Sequence, residues 1–99
     1  MTPNFENHLT ADRRLVVLRL LAGSTGYQAN AYIIEAALGD MGHQVSGDRV
    51  AADLAWLAEQ GLLSTTSVAG VTIAHLSPRG HDVAFGKAIV PGVKRPQPD

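Results

Sequence analysis

Four histidines, His8, His43, His75 and His81, are the side chains best suited to hold a metal or move a proton. None stands four residues from another, so no helix presents the adjacent pair that a zinc site uses. His75 and His81 flank a strand-to-helix corner and could approach each other, but two imidazoles without further ligands read as edge histidines. Cysteine is absent, which removes thiol nucleophiles, disulfides and cysteine-based metal sites. Ser24-Thr25-Gly26 has the small residues of a phosphate cradle, yet a helical pattern precedes it and no lysine follows. No nucleophile elbow and no carboxylate pair beside a histidine occurs. These absences predict a protein that is no enzyme and has no metal, cofactor or small-molecule ligand.

The residues that do suggest a surface chemistry lie between Gln44 and Gln60. Arg49 has the fork that pairs with a guanine edge, and Gln44 the amide that pairs with adenine. Ser46 and Gly47 open a helical pattern whose first amides could meet a phosphate. Ala52 lies on the same outward side. Gln44, Ser46, Gly47, Arg49 and Ala52 are therefore the candidate base-reading set. Arg13, Arg14, Lys87, Lys94 and Arg95 are the candidate phosphate contacts.

The elements that must position this set follow from periodicity. Thr10 is a suitable N-cap, and an apolar helix runs from it to about Ala22, where Gly23-Ser24-Thr25-Gly26 ends it. Leu15, Val16, Val17, Leu18, Leu20 and Leu21 point almost all round that helix, interrupted by Arg13, Arg14 and Arg19. Such a helix is buried on more than one side, and a second copy could supply the second cover. Val16, Val17, Leu20 and Trp56 are accordingly the expected homodimer contacts. Trp56 reads either as packing under the first helix or the N-terminal lead, or as an interface anchor.

Asn30 caps a second helix, with Tyr32, Ile33, Ala36 and Ala37 as an apolar stripe and Ile34 and Leu38 in the neighbouring row. Gly42-His43-Gln44-Val45 makes the turn. Ser46 caps a third helix that turns Val50, Leu54, Leu57 and Ala58 inward, and Gly61 stops it. Leu62 to Ser67 and Val71 to Leu76 alternate as strands around Ala69-Gly70. Ser77-Pro78 starts a fourth helix, in which Gly80 is out of place. The prolines after Val90 exclude regular structure, leaving a disordered tail or an extended arm along a partner.

The fold class is thus mainly α with a small β-hairpin. It divides into a lead (1–9), a winged helix-turn-helix domain (10–86) and a Pro-rich tail (87–99). The chain has 99 residues, 45% hydrophobic and 17% charged, enough for one modest core. No apolar run is long enough to span a bilayer and no leader is evident, which predicts a cytoplasmic protein of a bacterial host cell without a membrane partner.

Val45-Ser46, Val50, Leu54, Leu57, Gly61-Leu62-Leu63, Gly70-Val71 and Leu76-Ser77-Pro78-Arg79-Gly80 together resemble the winged-helix regulators of the ArsR and MarR type. With His8-Leu9-Thr10-Ala11-Asp12-Arg13-Arg14-Leu15 and Val90-Pro91-Gly92-Val93-Lys94-Arg95-Pro96, the whole is similar to small ArsR-like proteins of Mu-like phages and prophages. The resemblance implies a homodimer that binds double-stranded DNA as a transcriptional regulator. It carries no metal site across, because the metal-sensing branch uses cysteines.

Charge argues the other way. The net charge is −1. Residues 1–76 hold Arg13, Arg14, Arg19 and Arg49 against seven acidic side chains, and the two strands carry no Lys or Arg. A phosphate binder needs cations to displace counterions. The alternative expectation is a non-catalytic winged helix used for protein contacts, a phage accessory or assembly factor that does not bind DNA.

Overall fold

A helix of 20 residues, α1 (Pro3–Ala22), whose second half is apolar on most sides, is the axis of the structure. The computed structural model describes residues 3–97. After α1 come a single 3-10 turn (Thr25–Tyr27) and β1 (Gln28–Asn30). Then follow α2 (Ala31–Asp40), α3 (Gly47–Glu59), β2 (Leu63–Val68), β3 (Val71–Leu76) and α4 (Pro78–Ala84). The architecture is mainly α-helical with a small antiparallel sheet. Among the described residues no helix is long and apolar enough to cross a membrane.

α1 starts seven residues before Thr10, so Thr10 is interior rather than a cap. Pro3 suits a helical start because its missing N–H would have no intrahelical partner there. Residues 4–9 are exposed, so the first two turns stand on helix propensity and local contacts. Further on, Leu15, Val17, Leu18 and Leu21 are buried, and α1 packs on α4, α2 and the sheet.

The capping signals act where their chemistry directs. Asn30 accepts from the Ile33 amide, Ser46 from Arg49 and Ser77 from Gly80. Gly61, at φ 74°, lets the Leu62 amide return to the Leu57 carbonyl and close α3. On α2 the buried row is Ile34 and Leu38, while Tyr32 and Ile33 are exposed.

The sheet has the order β1-β3-β2, all antiparallel, in place of the expected two-stranded hairpin. Gln28-Ala29-Asn30 has no strand pattern of its own; pairing with His75, Ala74 and Ile73 makes it one. The hairpin turns at Ala69 and Gly70, both at positive φ. Its β2 strand lies at the edge, exposed from Ser64 onward.

As far as residue 97 the C-terminal segment is packed on the body of the chain. Val90 and Val93 are buried in the core cluster, each worth roughly 1.5–3 kcal/mol relative to exposure. The Lys94 amide donates to the Ala11 carbonyl at 3.1 Å. This arm lies along its own subunit.

Gly80 is explained by a close approach. A Cβ there would stand 1.9 Å from the Leu62 carbonyl oxygen, at the point where Ser77 clamps the start of α4 to Gly61 and Leu62. The neighbour is backbone and cannot yield cheaply. Gly80→Ala is expected to lower stability by about 3 kcal/mol, the upper end for overpacking. Gly23→Ala, which meets only ordinary contacts at 3.6 Å, serves as a near-neutral control in the same thermal melts.

Candidate interaction face

The face to be tested is formed by α2, the six-residue turn from Met41 to Ser46, α3 and the β2–β3 hairpin. Hydrophobic spacing turns Val50, Leu54 and Leu57 of α3 into the core. That leaves Gly47, Asp48, Arg49, Ala51, Ala52, Ala55 and Glu59 exposed. Gln44 and Ser46 are exposed in the turn, and the Gln44 amide donates to the Gly39 carbonyl. The five candidate base-reading residues are therefore all exposed, with Gly47 facing Glu35 of α2 and Arg49 near Arg14.

Between α2, the start of α3 and the hairpin tip runs a groove of about 410 Å³. Tyr32, Ala51, Gly70 and Val71 line it, with Glu35 and Asp48 at its side. Tyr32 is 69% exposed, so its ring is presented to whatever occupies the groove. The walls are mixed polar and apolar, and the charges on them, Glu35 and Asp48, are negative.

The expected phosphate contacts do not join this face as a group. Arg13 is buried, and its guanidinium donates through Nε and Nη2 to the two carboxylate oxygens of Asp53, an equally buried residue of α3. Arg14 is held by packing: its guanidinium carbon lies 3.7 Å from the centroid of the Trp56 ring, and Nη1 donates to the Gly92 carbonyl at 3.1 Å. Burial lowers the Arg14 pKa, with Asp53 opposing and Arg13 and Arg49 adding to the shift. Neither arginine reaches a phosphate without breaking these contacts. Lys87, Lys94 and Arg95 are exposed, but they ride on the arm fixed to α1. Lys94 also donates to Asp12 at 3.2 Å.

Two of the expected dimer contacts are likewise used within the subunit. Val17 is wholly buried in the core. Trp56 is covered by Arg14 on one side, and at Gly92 (φ 97°) an added Cβ would meet its ring at 2.8 Å. Val16 and Leu20 are half-buried beside Asp12, Arg19 and Lys94. α4 and the C-terminal arm of the same chain cover part of α1, and Val16 and Leu20 stay half-buried on its open side.

The histidines take separate partners. His43, in the turn before α3, is buried, and its Nε2 lies 2.7 Å from Asp12 Oδ2. His75 pairs with Thr66 at 3.1 Å, and His81 sits between the Tyr27 and Phe85 rings. Among the described residues no group of three His, Asp or Glu could hold a metal ion. The His43 contact was hidden in the sequence because its partner lies 31 positions away. Burial pushes the Asp12 carboxyl up, but the hydrogen bonds and charges of His43 and Lys94 outweigh it, and the net pKa is lowered.

Across 90 residues the chain is 47% identical to gp26 of Escherichia phage Mu, an uncharacterized protein, covering 91% of this chain and 93% of gp26. The chain belongs to the family of phage Mu gp26. An uncharacterized protein of Haemophilus influenzae is 49% identical over 61 residues, which is 62% of this chain and 59% of that protein. No family model and no solved structure matches. Kinship thus places the chain with a phage protein and brings no activity with it.

Two outcomes follow from the buried contacts. Asp53→Ala leaves the Arg13 charge buried without its partner and is expected to cost about 3–5 kcal/mol in denaturant unfolding. The double variant Arg13→Met/Asp53→Leu should recover most of that loss. The Asp12 contribution is complete above the ordinary carboxylate pKa, ~4, and is lost as pH falls through the lower folded value. Acid titration followed by circular dichroism should show this window in the wild type and not in Asp12→Asn.

Proposed function

We propose that the chain is a winged-helix module without catalytic activity, whose α2–α3–hairpin face docks a basic, partly apolar segment of another protein. The observation that carries this reading is the charge of the face. From Gln28 to Leu76 the only Lys or Arg is Arg49, while Glu35, Asp40, Asp48, Asp53 and Glu59 are acidic. Arg13 neutralises Asp53, leaving one guanidinium against four carboxylates. A groove lined by Tyr32, Ala51 and Val71 with an acidic side suits a cationic amphipathic segment. The same surface repels a phosphate backbone, since few counterions would be released on contact. The absence of catalysis is supported by the use made of the ionisable side chains. Asp12, His43, Arg13 and Asp53 bond one another, and His75 and His81 take local partners.

A DNA-binding transcriptional regulator of the ArsR or MarR type is the second reading. One observation favours it: α3 presents an uncovered outer face with Ser46, Gly47 and Arg49 at its start, the arrangement by which a recognition helix enters a major groove.

The two readings separate in one set of titrations on the full chain, monitored by backbone amide NMR. A duplex of random sequence at low salt is expected to leave the α3 amides unmoved. A cationic amphipathic helical peptide is expected to shift the amides of Tyr32, Glu35, Asp48, Ala51 and Val71, and Glu35→Lys/Asp48→Lys should abolish those shifts. A duplex that shifts residues 46–52, with a response lost in Arg49→Ala and suppressed by salt, would establish the regulator instead.

A further inference from the structure

β2 ends the sheet, and from Ser64 onward the outer side of its backbone meets no partner among the described residues. The Ser77 amide donates to the Leu62 carbonyl, and Leu62 and Ser77 continue the β2–β3 register by one pair. In an antiparallel ladder, directly hydrogen-bonded pairs alternate with unbonded ones. Ser64, Thr66 and Val68 therefore turn their amides and carbonyls toward β3, while Leu63, Thr65 and Ser67 turn theirs outward. No hydrogen bond within the chain reaches the outward groups of Thr65 and Ser67 among the described residues. Ser64 through Gly70 are all exposed.

Edge strands are ordinarily guarded by a charge, a proline, a bulge or a covering loop. β2 has none of these. Its residues are Leu-Ser-Thr-Thr-Ser-Val, its pairing with β3 runs without interruption, and from Ser64 onward it is exposed among the described residues. The neighbouring part of α3 presents Ala51 and Ala55 beside Thr65 and Thr72, so the side chains that flank the middle of the strand are small.

We infer that β2 is a docking edge for a second copy of this chain, pairing antiparallel with its own counterpart about a two-fold axis at Thr65. The strand is its own complement. With Thr65 opposite the partner's Thr65, the two threonines exchange amide-to-carbonyl hydrogen bonds at the axis, about two in all, and the partner's Ser67 stands beside Leu63, whose own side chain is in the core. Because β2 carries no charge, the symmetric arrangement sets no like charges against each other, and threonine pairs suit cross-strand contact. The two three-stranded sheets become one. This contact differs from the α1 and Trp56 surface considered first, which the subunit partly covers itself. It also leaves Tyr32, Glu35 and Asp48 of the groove out of the contact, so it stands or falls separately from the docking of a basic segment.

Light scattering coupled to size exclusion, on the full chain, reads the outcome. The wild type is expected as a dimer. Thr65→Pro removes an amide that the subunit's own ladder does not use, and Thr65→Lys places two ammonium groups at the axis. Both are expected to be monomers with unchanged far-ultraviolet circular dichroism. The native chain has no cysteine, so Thr65→Cys tests the register directly. Facing Cα atoms of a bonded pair lie about 5.5 Å apart, inside the ~4.4–6.8 Å range of a disulfide, and oxidation should give a covalent dimer. Ser67→Cys should not, since its two copies would stand roughly 14 Å apart along the strands. A monomeric wild type overturns the inference, as does a dimer that survives Thr65→Lys or a Ser67→Cys chain that cross-links as readily as Thr65→Cys. If Thr65→Pro fails to fold, the lysine and cysteine variants still decide.

Discussion

The buried pair of Arg13 and Asp53 joins the central helix to the helix that bears the outer face. Two charges removed from water are tolerable only when each satisfies the other, and here the guanidinium spans both carboxylate oxygens. The pair sets the rotation and height of α3 against α1 more narrowly than apolar contacts could. Val50, Leu54 and Leu57 accept small slides; a two-point hydrogen bond does not. With α3 held, Trp56 stands where Arg14 can lie across its ring, and the arm through Gly92 closes over both. Asp12, one residue earlier on α1, takes His43 from the turn and Lys94 from the arm. Three consecutive side chains of α1 thus organise α3, the turn and the C-terminus.

This use of charge explains the balance of the surface. Arg13 and Arg14 are engaged inside the subunit, and the α2–α3–hairpin face is left with Arg49 among carboxylates. A fold does not by itself fix a function; in the reading proposed above, the distribution of charge, rather than the arrangement of helices, is what favours a protein partner. The same economy holds at the tail: Val90 and Val93 fill the core beside α1, so the helix finds part of its cover without leaving the chain.

Much of the helical skeleton was legible because its signals are local. Asn30, Ser46 and Ser77 cap helices by bonding an amide three residues on, and Gly61 ends α3 by adopting a conformation that other residues avoid. The inward row of α3 and the Ala69-Gly70 turn follow from periods of 3.6 and 2 residues. Where local signals competed, the reading erred. Thr10 is a good cap, but Pro3 and the residues after it continue the helix without interruption. Tyr32 and Ile33 are apolar by type, yet Ile34 and Leu38 face the core because Asn30 sets the phase of α2.

By itself the amino-acid sequence determined the class of fold, most element boundaries after Gly23, the absence of thiol chemistry and the scarcity of cations between Gln28 and Leu76. Each of these depends on residue identity or on neighbours within a few positions. Only the tertiary structure decided which ionisable groups are spent inside, that β1 is a strand, that the proline-bearing tail is an arm, and that the β2 edge is bare. Those outcomes rest on pairs separated by 40 residues for Arg13 and Asp53 and by 78 for Arg14 and Gly92. No local pattern encodes such contacts; they exist only once the chain has closed on itself and burial has made an unpaired charge or amide too costly to leave.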